Sequence, residues 1–462
     1  MDKEHRKKIQ ATKLIITEVF MLIVIVLTVV ILTFIVMGYR LTDDGKLEQS
    51  GLVEVESIPT GATVTIDQEV LPAKTNTSKI LPEGEYTILL EKEGYTSWSK
   101  TFNTHPGFLT KLAYPRLYKL DRKAETIEKL SSAPTFFATS PDRDLIFYAT
   151  GSQLYSLNIE SDSAEPIALD LTKLFGATLP ADLKIHTWSK SGERLIVTFT
   201  KDDTKHFAVI DLALPSASLD LSTTFDLTIS DLRFISAGGE NVFILENGHL
   251  RTASLSSEQL SSVLVDRVES FENSGLNAIV VQTTKEISLY NYSSKSLVSL
   301  KKSTAETVRA LISEYLGRST LVFLEDNQAT VYRGELPSEN ITKENPLPTP
   351  VGEYTLNFTP STFRMAAKNQ IILASEDANY TIFNLETYST SSYTLESNLT
   401  FWPDEYTIGN TFNEELIFRD FDGDNRQVLG RAANGFPAVI TKNNKYLYYV
   451  ATDYSITREN IK

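Results

Sequence analysis

A long apolar run near the N-terminus is the first pattern along the chain. Val19 to Met37 are nineteen consecutive positions in which only two threonines interrupt the apolar residues. A helix rises about 1.5 Å per residue, so this run nearly spans a bilayer core of roughly 30 Å. The pattern predicts a transmembrane helix over residues 14–39, preceded by a short basic tail at residues 1–13.

The charges around this run predict its orientation. The tail holds five basic side chains against two acidic ones, and basic flanks stay in the cytoplasm, so the chain beyond Tyr39 is expected outside. A cleaved signal peptide would have a shorter apolar core of about 7–15 residues and a small-residue cleavage site. A buried core helix would not be free of charged residues on every side for five turns. The sequence therefore favours an uncleaved signal anchor.

After the anchor, the pattern changes to alternation. Residues 40–50 are polar and predict a stalk, and from Gly51 onward apolar and polar residues alternate, as in Val53-Glu54-Val55. A period of two is typical of half-buried strands. Turn signals such as Leu81-Pro82-Glu83-Gly84 separate the runs. Residues 51–115 are therefore expected to form a small antiparallel β-sandwich.

This segment resembles a known family, the PEGA domain. The stretch Ser57–Asp67 looks like its opening strand–turn–strand, Leu81–Tyr86 like its central turn, and Glu93-Gly94-Tyr95 with Trp98 like its closing one. The three elements occur in order, and they cover a small part of the chain. The resemblance implies a prokaryotic surface protein with a structural or interaction module, and it brings no catalytic residues.

One strand-rich motif recurs from residue 116 to residue 462. Each copy contains a first strand, a tight turn, a hydrophobic strand, a short turn and an alternating strand. The copies begin near Phe136, Ile185, Asp231, Val268, Arg309, Leu356, Leu399 and Phe436. The copies begin about 35 to 50 residues apart. A repeat period in this range indicates a propeller or an array, because each sheet must bury its faces against the next one. The sequence predicts an eight-bladed β-propeller, with seven blades as the alternative if one weak copy is an insertion.

The two ends of this region predict how the ring closes. The last copy ends after its third strand, and residues 116–130 contain a strand-like segment with no blade of its own. We expect these two parts to pair, because a strand from one end would then complete the sheet formed by the other end.

Several copies resemble the TolB-type group of propeller repeats. Ser140-Pro141-Asp142 and Trp402-Pro403-Asp404 look like its first-strand exit, and Leu416–Asn425 looks like its third strand and turn. Other copies depart from this motif, for example at residues 236–239. The resemblance implies a shape more than a role, because propellers host unrelated functions.

Composition and charge narrow the classes of function. The 462 residues include 59 acidic and 44 basic side chains, and the net charge of −15 argues against binding to nucleic acid. The chain contains no cysteine, which excludes disulfides, thiolate zinc sites, iron–sulfur clusters and cysteine nucleophiles. The basic tail carries +3, so the remaining chain carries −18, which suits solubility outside a cell.

Few side chains point to catalytic or metal chemistry. Asp420, Asp422 and Asp424 stand at alternate positions, as in calcium loops, but Asn425 and Arg431 occupy the places of the loop's glycine and glutamate. A turn between two strands explains the same aspartates, and calcium is the alternative. The histidines lack ligand spacing, and no nucleophile elbow or phosphate-binding glycine loop occurs. The sequence therefore predicts no catalytic residues, no metal site and no cofactor.

The first strands of the blades are expected to line a central channel. Several of them carry large or charged side chains, which are the candidate ligand-binding residues at the channel mouth: His186, Trp188, Arg233, Glu269, Arg309 and Trp402. Packing within the ring, with paired charges, is the alternative explanation of these residues.

Together these features predict a single-pass protein of the prokaryotic cell membrane with most of its chain outside. We expect its propeller to be a non-enzymatic binding or scaffold module that contacts envelope proteins or cell-wall glycans. One alternative is a surface enzyme acting on polysaccharide or peptide, with carboxylates from distant blades that meet across the ring. The other is a sensor or assembly factor coupled to membrane partners.

Overall fold

A computed structural model describes residues 3–41, 45–161, 165–273, 278–284, 286–292, 294–335, 347, 349–366, 370–397 and 399–462, except for the side chains of residues 3–12 and 273. The described chain is mainly β, as predicted. It divides into two compact units, Met1–Asp121 with Lys462 and Arg122–Ile461, and each is considered by itself.

Unit 1 begins with a long apolar helix, α1 (Lys3–Val36). Within its segment Lys13–Val36, an 18-residue window has a mean hydropathy of 3.4 and no part of that window is buried, so the segment is long and apolar enough to cross a membrane. Most of the predicted tail is thus helical, although Met1 and Asp2 lie outside the described residues. The helix ends before the predicted limit at Tyr39, because Gly38 adopts a φ of +81° that terminates the helical pattern.

After α1, the described residues of unit 1 form eight strands in two sheets. The strands are β1 (Tyr39–Leu41), β2 (Leu47–Val55), β3 (Thr63–Ile66), β4 (Glu69–Val70), β5 (Thr77–Pro82), β6 (Gly84–Glu91), β7 (Trp98–Thr104) and β8 (Leu109–Leu112). One sheet has the order β1–β2–β5 with β8 also beside β2, and the other has the order β4–β3–β6–β7. Val53 and Val55 of the first sheet and Val64 and Ile88 of the second lie in one buried core.

Two expectations for unit 1 are wrong. The predicted stalk is partly strand, because β1 and the start of β2 pair with Leu41 opposite Leu47. The sheets are not purely antiparallel, because β8 runs parallel to β2. The reason is geometric: β1 covers only the first part of one edge of β2, and β8 pairs with the part of that edge from Leu52 to Val55.

Unit 2 contains eight four-stranded antiparallel sheets within the described residues. Sheet 1 consists of β10 (Phe136–Thr139), β11 (Leu145–Thr150), β12 (Gln153–Asn158) and β13 (Pro166–Leu169), and sheet 2 consists of β14 (Lys184–Trp188), β15 (Arg194–Lys201), β16 (Thr204–Asp211) and β17 (Leu219–Asp220). Sheet 3 consists of β18 (Ile229–Phe234), β19 (Asn241–Glu246), β20 (His249–Ser254) and β21 (Gln259–Leu260), and sheet 4 consists of β22 (Ser270–Asn273), β23 (Ala278–Thr283), β24 (Glu286–Asn291) and β25 (Ser296–Lys302). Two short helices, α2 (Thr172–Phe175) and α3 (Leu221–Phe225), follow sheets 1 and 2.

Sheets 5 to 8 continue the same order. Sheet 5 consists of β26 (Val308–Tyr315), β27 (Arg318–Glu325), β28 (Gln328–Gly334) and β29 (Pro350–Thr355), and sheet 6 consists of β30 (Thr362–Ala366), β31 (Ile371–Glu376), β32 (Asn379–Asn384) and β33 (Ser389–Thr394). Sheet 7 consists of β34 (Thr400–Phe401), β35 (Thr407–Phe412), β36 (Glu415–Asp420) and β37 (Gln427–Arg431). Sheet 8 consists of β38 (Val439–Ile440), β39 (Tyr446–Val450) and β40 (Ser455–Asn460) together with β9 (Ala124–Lys129). Each of the eight predicted copies supplies one of these sheets.

Consecutive sheets pack against each other around a ring. Buried apolar clusters join sheets 1 to 6 in sequence, and another cluster joins sheet 8 to sheet 1. Sheets 6 and 7 are connected by a hydrogen bond that Tyr406 Oη donates to Gln370 Oε1 over 3.2 Å. Sheets 7 and 8 are connected by one from Ile440 N to Pro403 O over 2.9 Å. This closed succession of radial sheets is a β-propeller fold.

The last sheet combines both ends of the propeller. The strand β9 pairs antiparallel with β40, with Glu128 opposite Ile456, which confirms the predicted pairing of the two ends. Arg122, just before β9, places its Nε 2.9 Å from Glu459 Oε2 on β40. Both backbone and side chains therefore hold the ring closed.

Candidate binding site in the central channel

The first strands of neighbouring sheets contact one another, which places them at the centre of the ring. His186 on β14 reaches Asp231 on β18, and Arg233 on β18 reaches Glu272 on β22. On the opposite half, Arg309 on β26 donates a hydrogen bond from Nη1 to Ser361 O, just before β30, over 3.0 Å. The polar side chains of these strands therefore contact residues of the neighbouring sheets, and their position at the mouth of a channel stays a prediction.

Four charged or polar side chains from three sheets form the Asp231 cluster, which consists of His186, Asp231, Arg233 and Glu272. Asp231 Oδ1 lies 2.7 Å from His186 Nε2, and Asp231 Oδ2 lies 3.2 Å from Arg233 Nε. Arg233 Nη2 lies 3.9 Å from Glu272 Oε1. The cluster is thus a continuous row of polar contacts across sheets 2, 3 and 4.

The two carboxylates of the Asp231 cluster differ in their affinity for protons. Burial by itself would raise the pKa of Asp231, but the hydrogen bond from His186 and the charge of Arg233 outweigh burial, so its pKa lies below the ordinary value. Burial raises the pKa of Glu272, and the nearby charge of Arg233 offsets only part of that rise. Asp231 is therefore the ionised partner, and Glu272 is the group that holds a proton more readily.

A cavity of about 370 Å³ opens beside β30 in sheet 6 and is called the Arg364 pocket here. Arg364 shares it with side chains that are mostly small hydroxyls: Ser361, Thr362, Ser375, Asp377, Tyr380 and Thr400. The guanidinium of Arg364 lies over the indole ring of Trp402, 5.4 Å from the ring centre. A cation on an aromatic face is held in a defined position, so the arginine is oriented before any ligand arrives.

The charge of Arg364 is not neutralised within the described part of the chain. Asp377 lines the same pocket, but neither it nor any other described carboxylate lies within ion-pair distance of the guanidinium. Burial lowers the pKa of Arg364 below its ordinary value, although the group stays charged at neutral pH. The Arg364 side chain is nevertheless exposed on β30, and an accessible guanidinium without an acidic partner among the described residues favours an anion.

Five of the six predicted site residues fall into three groups. His186 and Arg233 belong to the Asp231 cluster, and Trp402 and Arg309 lie beside the Arg364 pocket. Glu269 joins neither cluster; it is exposed before β22, where its Oε1 accepts a hydrogen bond from Thr284 Oγ1 over 2.7 Å.

Trp188 requires a correction, because it does not face the channel clusters. Its ring packs 5.2 Å from that of Phe147, against the apolar core between sheets 1 and 2. The pairing register of β14 shifts between Ile185 and Thr187, so His186 and Trp188 are not on the same face despite their spacing. Trp188 is therefore a packing residue.

Sequence reasoning missed Asp231, Glu272 and Arg364 as site residues. Asp231 and Arg233 are two positions apart on one strand, and this alternation is a signal that could have identified Asp231. Nothing in the spacing indicates that Glu272 or Arg364 meets residues of another sheet.

The aspartates between β36 and β37 form a hydrogen-bonded turn. Asp420 N donates to Asp424 O over 3.0 Å, Asn425 Nδ2 donates to Asp420 Oδ2 over 2.8 Å, and Gly423 has a φ of +91°. The predicted turn is thus present. Among the described residues, no group of three or more histidine, aspartate or glutamate side chains is arranged to hold a metal ion.

Comparison with known protein families gives a match within the first unit. Residues 50–115 match the model of the PEGA domain. No relative among curated protein sequences matches this chain.

Solved structures with a similar arrangement of strands come from unrelated settings. PorZ, a bacterial surface component of the type-IX secretion system of Porphyromonas gingivalis, is 10% identical with a TM-score of 0.41 over 71% of this chain, which covers 42% of PorZ. The Myceliophteria thermophila Cps50 (Swd1) β-propeller domain is 9% identical with a TM-score of 0.41, covering 74% of this chain and 100% of that one. A chain of the yeast Nup82–Nup159–Nup116 nucleoporin complex is 10% identical to this chain with a TM-score of 0.44, and the match covers 66% of this chain and 100% of the nucleoporin chain.

The propeller assignment rests on the sheets of this chain, and the first module on its family match. Residues 50–115 therefore form a PEGA domain, and the chain after it folds as a β-propeller.

Proposed function

We propose that this chain is a membrane-anchored surface protein whose PEGA domain and eight-bladed propeller act as a binding module. In this proposal, α1 is the signal anchor, its basic end lies in the cytoplasm, and the PEGA domain, a small β-sandwich, lies outside with the propeller. The hydropathy of Lys13–Val36 and the basic residues before it support the anchor and its orientation. The eight sheets support eight blades.

The Arg364 pocket is the observation that carries the binding role. A guanidinium offers donors in a fixed fork that matches a carboxylate, and charge-assisted hydrogen bonds of this kind are stronger than neutral ones. The hydroxyls of Thr362, Ser375 and Thr400 can hydrogen-bond further oxygens of the same ligand. The expected ligand therefore presents an acidic group, either on an envelope protein or on an acidic cell-wall glycan.

The test compares two arginine variants of the full chain in lipid nanodiscs. Arg364→Ala removes the positive charge of the pocket, and Arg431→Ala is the matched control, because Arg431 is 74% exposed on the last strand of sheet 7 and pairs with Glu414. Losing a charged hydrogen bond costs about 1.5–3 kcal/mol, which corresponds to a weakening of roughly 10–150-fold.

We expect the wild-type chain and the control variant to retain the same envelope fraction and Arg364→Ala to retain at least about tenfold less. Equal retention by all three chains would contradict a ligand site at Arg364. Retention by none of them would contradict the binding role itself.

A surface enzyme is the second candidate, and the Asp231 cluster is the observation that favours it. Two carboxylates whose surroundings drive their pKa values apart are the arrangement from which general acid–base pairs are built. In that case Glu272 donates the proton and Asp231 stays ionised. Hydrolysis of wall glycan or peptide by the full chain, abolished in Glu272→Gln and kept in Glu269→Gln, would favour the enzyme over the binding protein.

A further inference from the structure

An exposed apolar surface lies beside the C-terminal end of α1. Its side chains line a groove of about 590 Å³ together with Ile35 and Val36 of the helix. The apolar residues of the sheets in this helix-end groove are Leu41, Leu52, Ile80, Phe108 and Leu109. All five are exposed, and Leu41 and Phe108 are 71% and 69% accessible. Contiguous apolar surface of this kind marks an interaction site in a folded protein.

The groove includes an apolar row that crosses the first sheet of unit 1. Leu52 on β2 lies opposite Ile80 on β5 and opposite Leu109 on β8, so the three side chains point to one face. The opposite face of β2 carries Val53 and Val55, which are fully buried in the core. The face of the sheet that its own fold leaves uncovered therefore presents an apolar row, which ends at the ion pair between Glu54 and Lys111.

The end of α1 is attached to this sheet without a flexible linker. Ser50 N donates a hydrogen bond to Gly38 O over 2.7 Å, and Gly107 N donates one to Ser50 O over 3.0 Å. A Cβ atom on Gly107 would lie 2.8 Å from Val36 O, so the β7–β8 turn contacts the last helical turn directly. Phe108, the next residue, is thereby fixed beside the point where the apolar helix ends.

The residues around the groove match the boundary between lipid tails and headgroups. The helix remains apolar up to Val36, and the Tyr39 ring packs edge-on against Phe34 at 5.1 Å. Tyrosines are enriched at this boundary, and an arginine there can reach lipid phosphates. Arg40 lies in the groove, where its strand partner is Glu48. The apolar surface thus continues the surface that the helix presents to lipid.

We propose that the helix-end groove rests on the outer leaflet of the membrane, so that lipid covers Phe108 and its apolar neighbours. This inference rests on the proposed role of α1 as a membrane anchor. The PEGA domain is then seated on the bilayer surface in a fixed orientation, with its buried core behind the lipid-covered face.

Tryptophan quenching by brominated lipid tests this contact in the full chain reconstituted into phosphatidylcholine–phosphatidylglycerol nanodiscs. Phe108→Trp places the reporter in the groove, and its high exposure allows the larger ring. Val36→Trp reports insertion of the helix, and Val70→Trp on β4, which is exposed outside the groove, is the matched control. The three native tryptophans give the same background in every variant.

We expect brominated acyl chains to quench Phe108→Trp and Val36→Trp at least twice as strongly as Val70→Trp. If brominated lipid quenches Val36→Trp but not Phe108→Trp, the inference about the groove is overturned and the membrane anchor stays intact. In that case, shielding of Phe108→Trp from aqueous acrylamide would identify a protein, and not lipid, as the occupant of the groove. Absence of quenching in Val36→Trp would overturn the membrane anchor and this inference with it.

Discussion

An ion pair joins the two ends of the propeller, next to the backbone pairing of β9 with β40. Arg122, before β9, and Glu459, on β40, have side chains that are 13% and 9% exposed, and their Nε and Oε2 atoms are 2.9 Å apart. Glu459 Oε1 also accepts a hydrogen bond from Tyr449 Oη over 2.7 Å. Arg122→Ala would leave the Glu459 carboxylate nearly buried with only a neutral partner.

The size of the effect follows from this burial. Removal of one partner of a buried ion pair costs about 3–5 kcal/mol, and the slight exposure of both groups lowers our expectation to about 2–4 kcal/mol. The exposed pair Arg431–Glu414 on sheet 7 provides the control, since a surface pair contributes at most about 1 kcal/mol. Glu459→Gln combined with Arg122→Ala should recover part of the loss, because the uncompensated charge is then gone.

Thermal unfolding of the full chain in nanodiscs, followed by near-ultraviolet circular dichroism, measures the difference. For a propeller of this size, a loss of about 3 kcal/mol lowers the midpoint by about 4 °C. We expect that shift in Arg122→Ala and less than about 1.5 °C in Arg431→Ala. Equal midpoints in the two variants would refute the reasoning that this pair holds the ring closed.

Two further predictions concern the propeller and the junction between α1 and the first sheet of unit 1. The hydrogen bond from Arg419 lowers the pKa of Glu396 from 4.5 to about 2, so the stability that this bond contributes is complete above pH 4.5 and is lost as the pH falls towards 2. The urea midpoints at pH 6 and pH 3 should therefore differ more in the wild type than in Glu396→Gln. An equal difference in the two chains would contradict this coupling of the Glu396 pKa to stability. Gly38 and Gly45 both have positive φ, but a Cβ atom on Gly38 would lie 2.3 Å from Gly107 N, whereas one on Gly45 would meet nothing within 4 Å. Limited proteolysis should therefore cleave the junction of the Gly38→Ala variant several times faster than that of the Gly45→Ala variant. Equal cleavage rates would show that the close contact at Gly38 is unimportant.

Much of the fold could be predicted because it is encoded in local patterns. Three patterns depend on neighbouring residues alone: the apolar run, the alternation after Gly51 and the repeated strand motif. The same holds for the strand-like segment without a blade of its own, which is β9 in the structure. The stalk was mispredicted because its polar composition conceals the edge strand β1, which is held by backbone pairing with β2. A parallel partner such as β8 leaves no sign in the spacing of the sequence.

The candidate site was predictable only in part, since it is assembled from separate sheets. The sequence indicated which strands line the channel, and therefore His186, Arg233, Arg309 and Trp402. It did not indicate that Arg364 would lie on Trp402 without an acidic partner among the described residues, because that depends on how neighbouring sheets pack. A bulge, also invisible in the spacing, separated Trp188 from His186.

The central claim is that the chain is anchored by α1 with its propeller outside the cell. The chain has no cysteine, so a single introduced cysteine reports its own side of the membrane. Leu297→Cys places it on an exposed position of β25, and Lys7→Cys places it in the basic end of α1. In intact cells, a maleimide that cannot cross the membrane should label Leu297→Cys fully and Lys7→Cys only after permeabilisation. Labelling of Lys7→Cys in intact cells, with Leu297→Cys protected, would contradict the account.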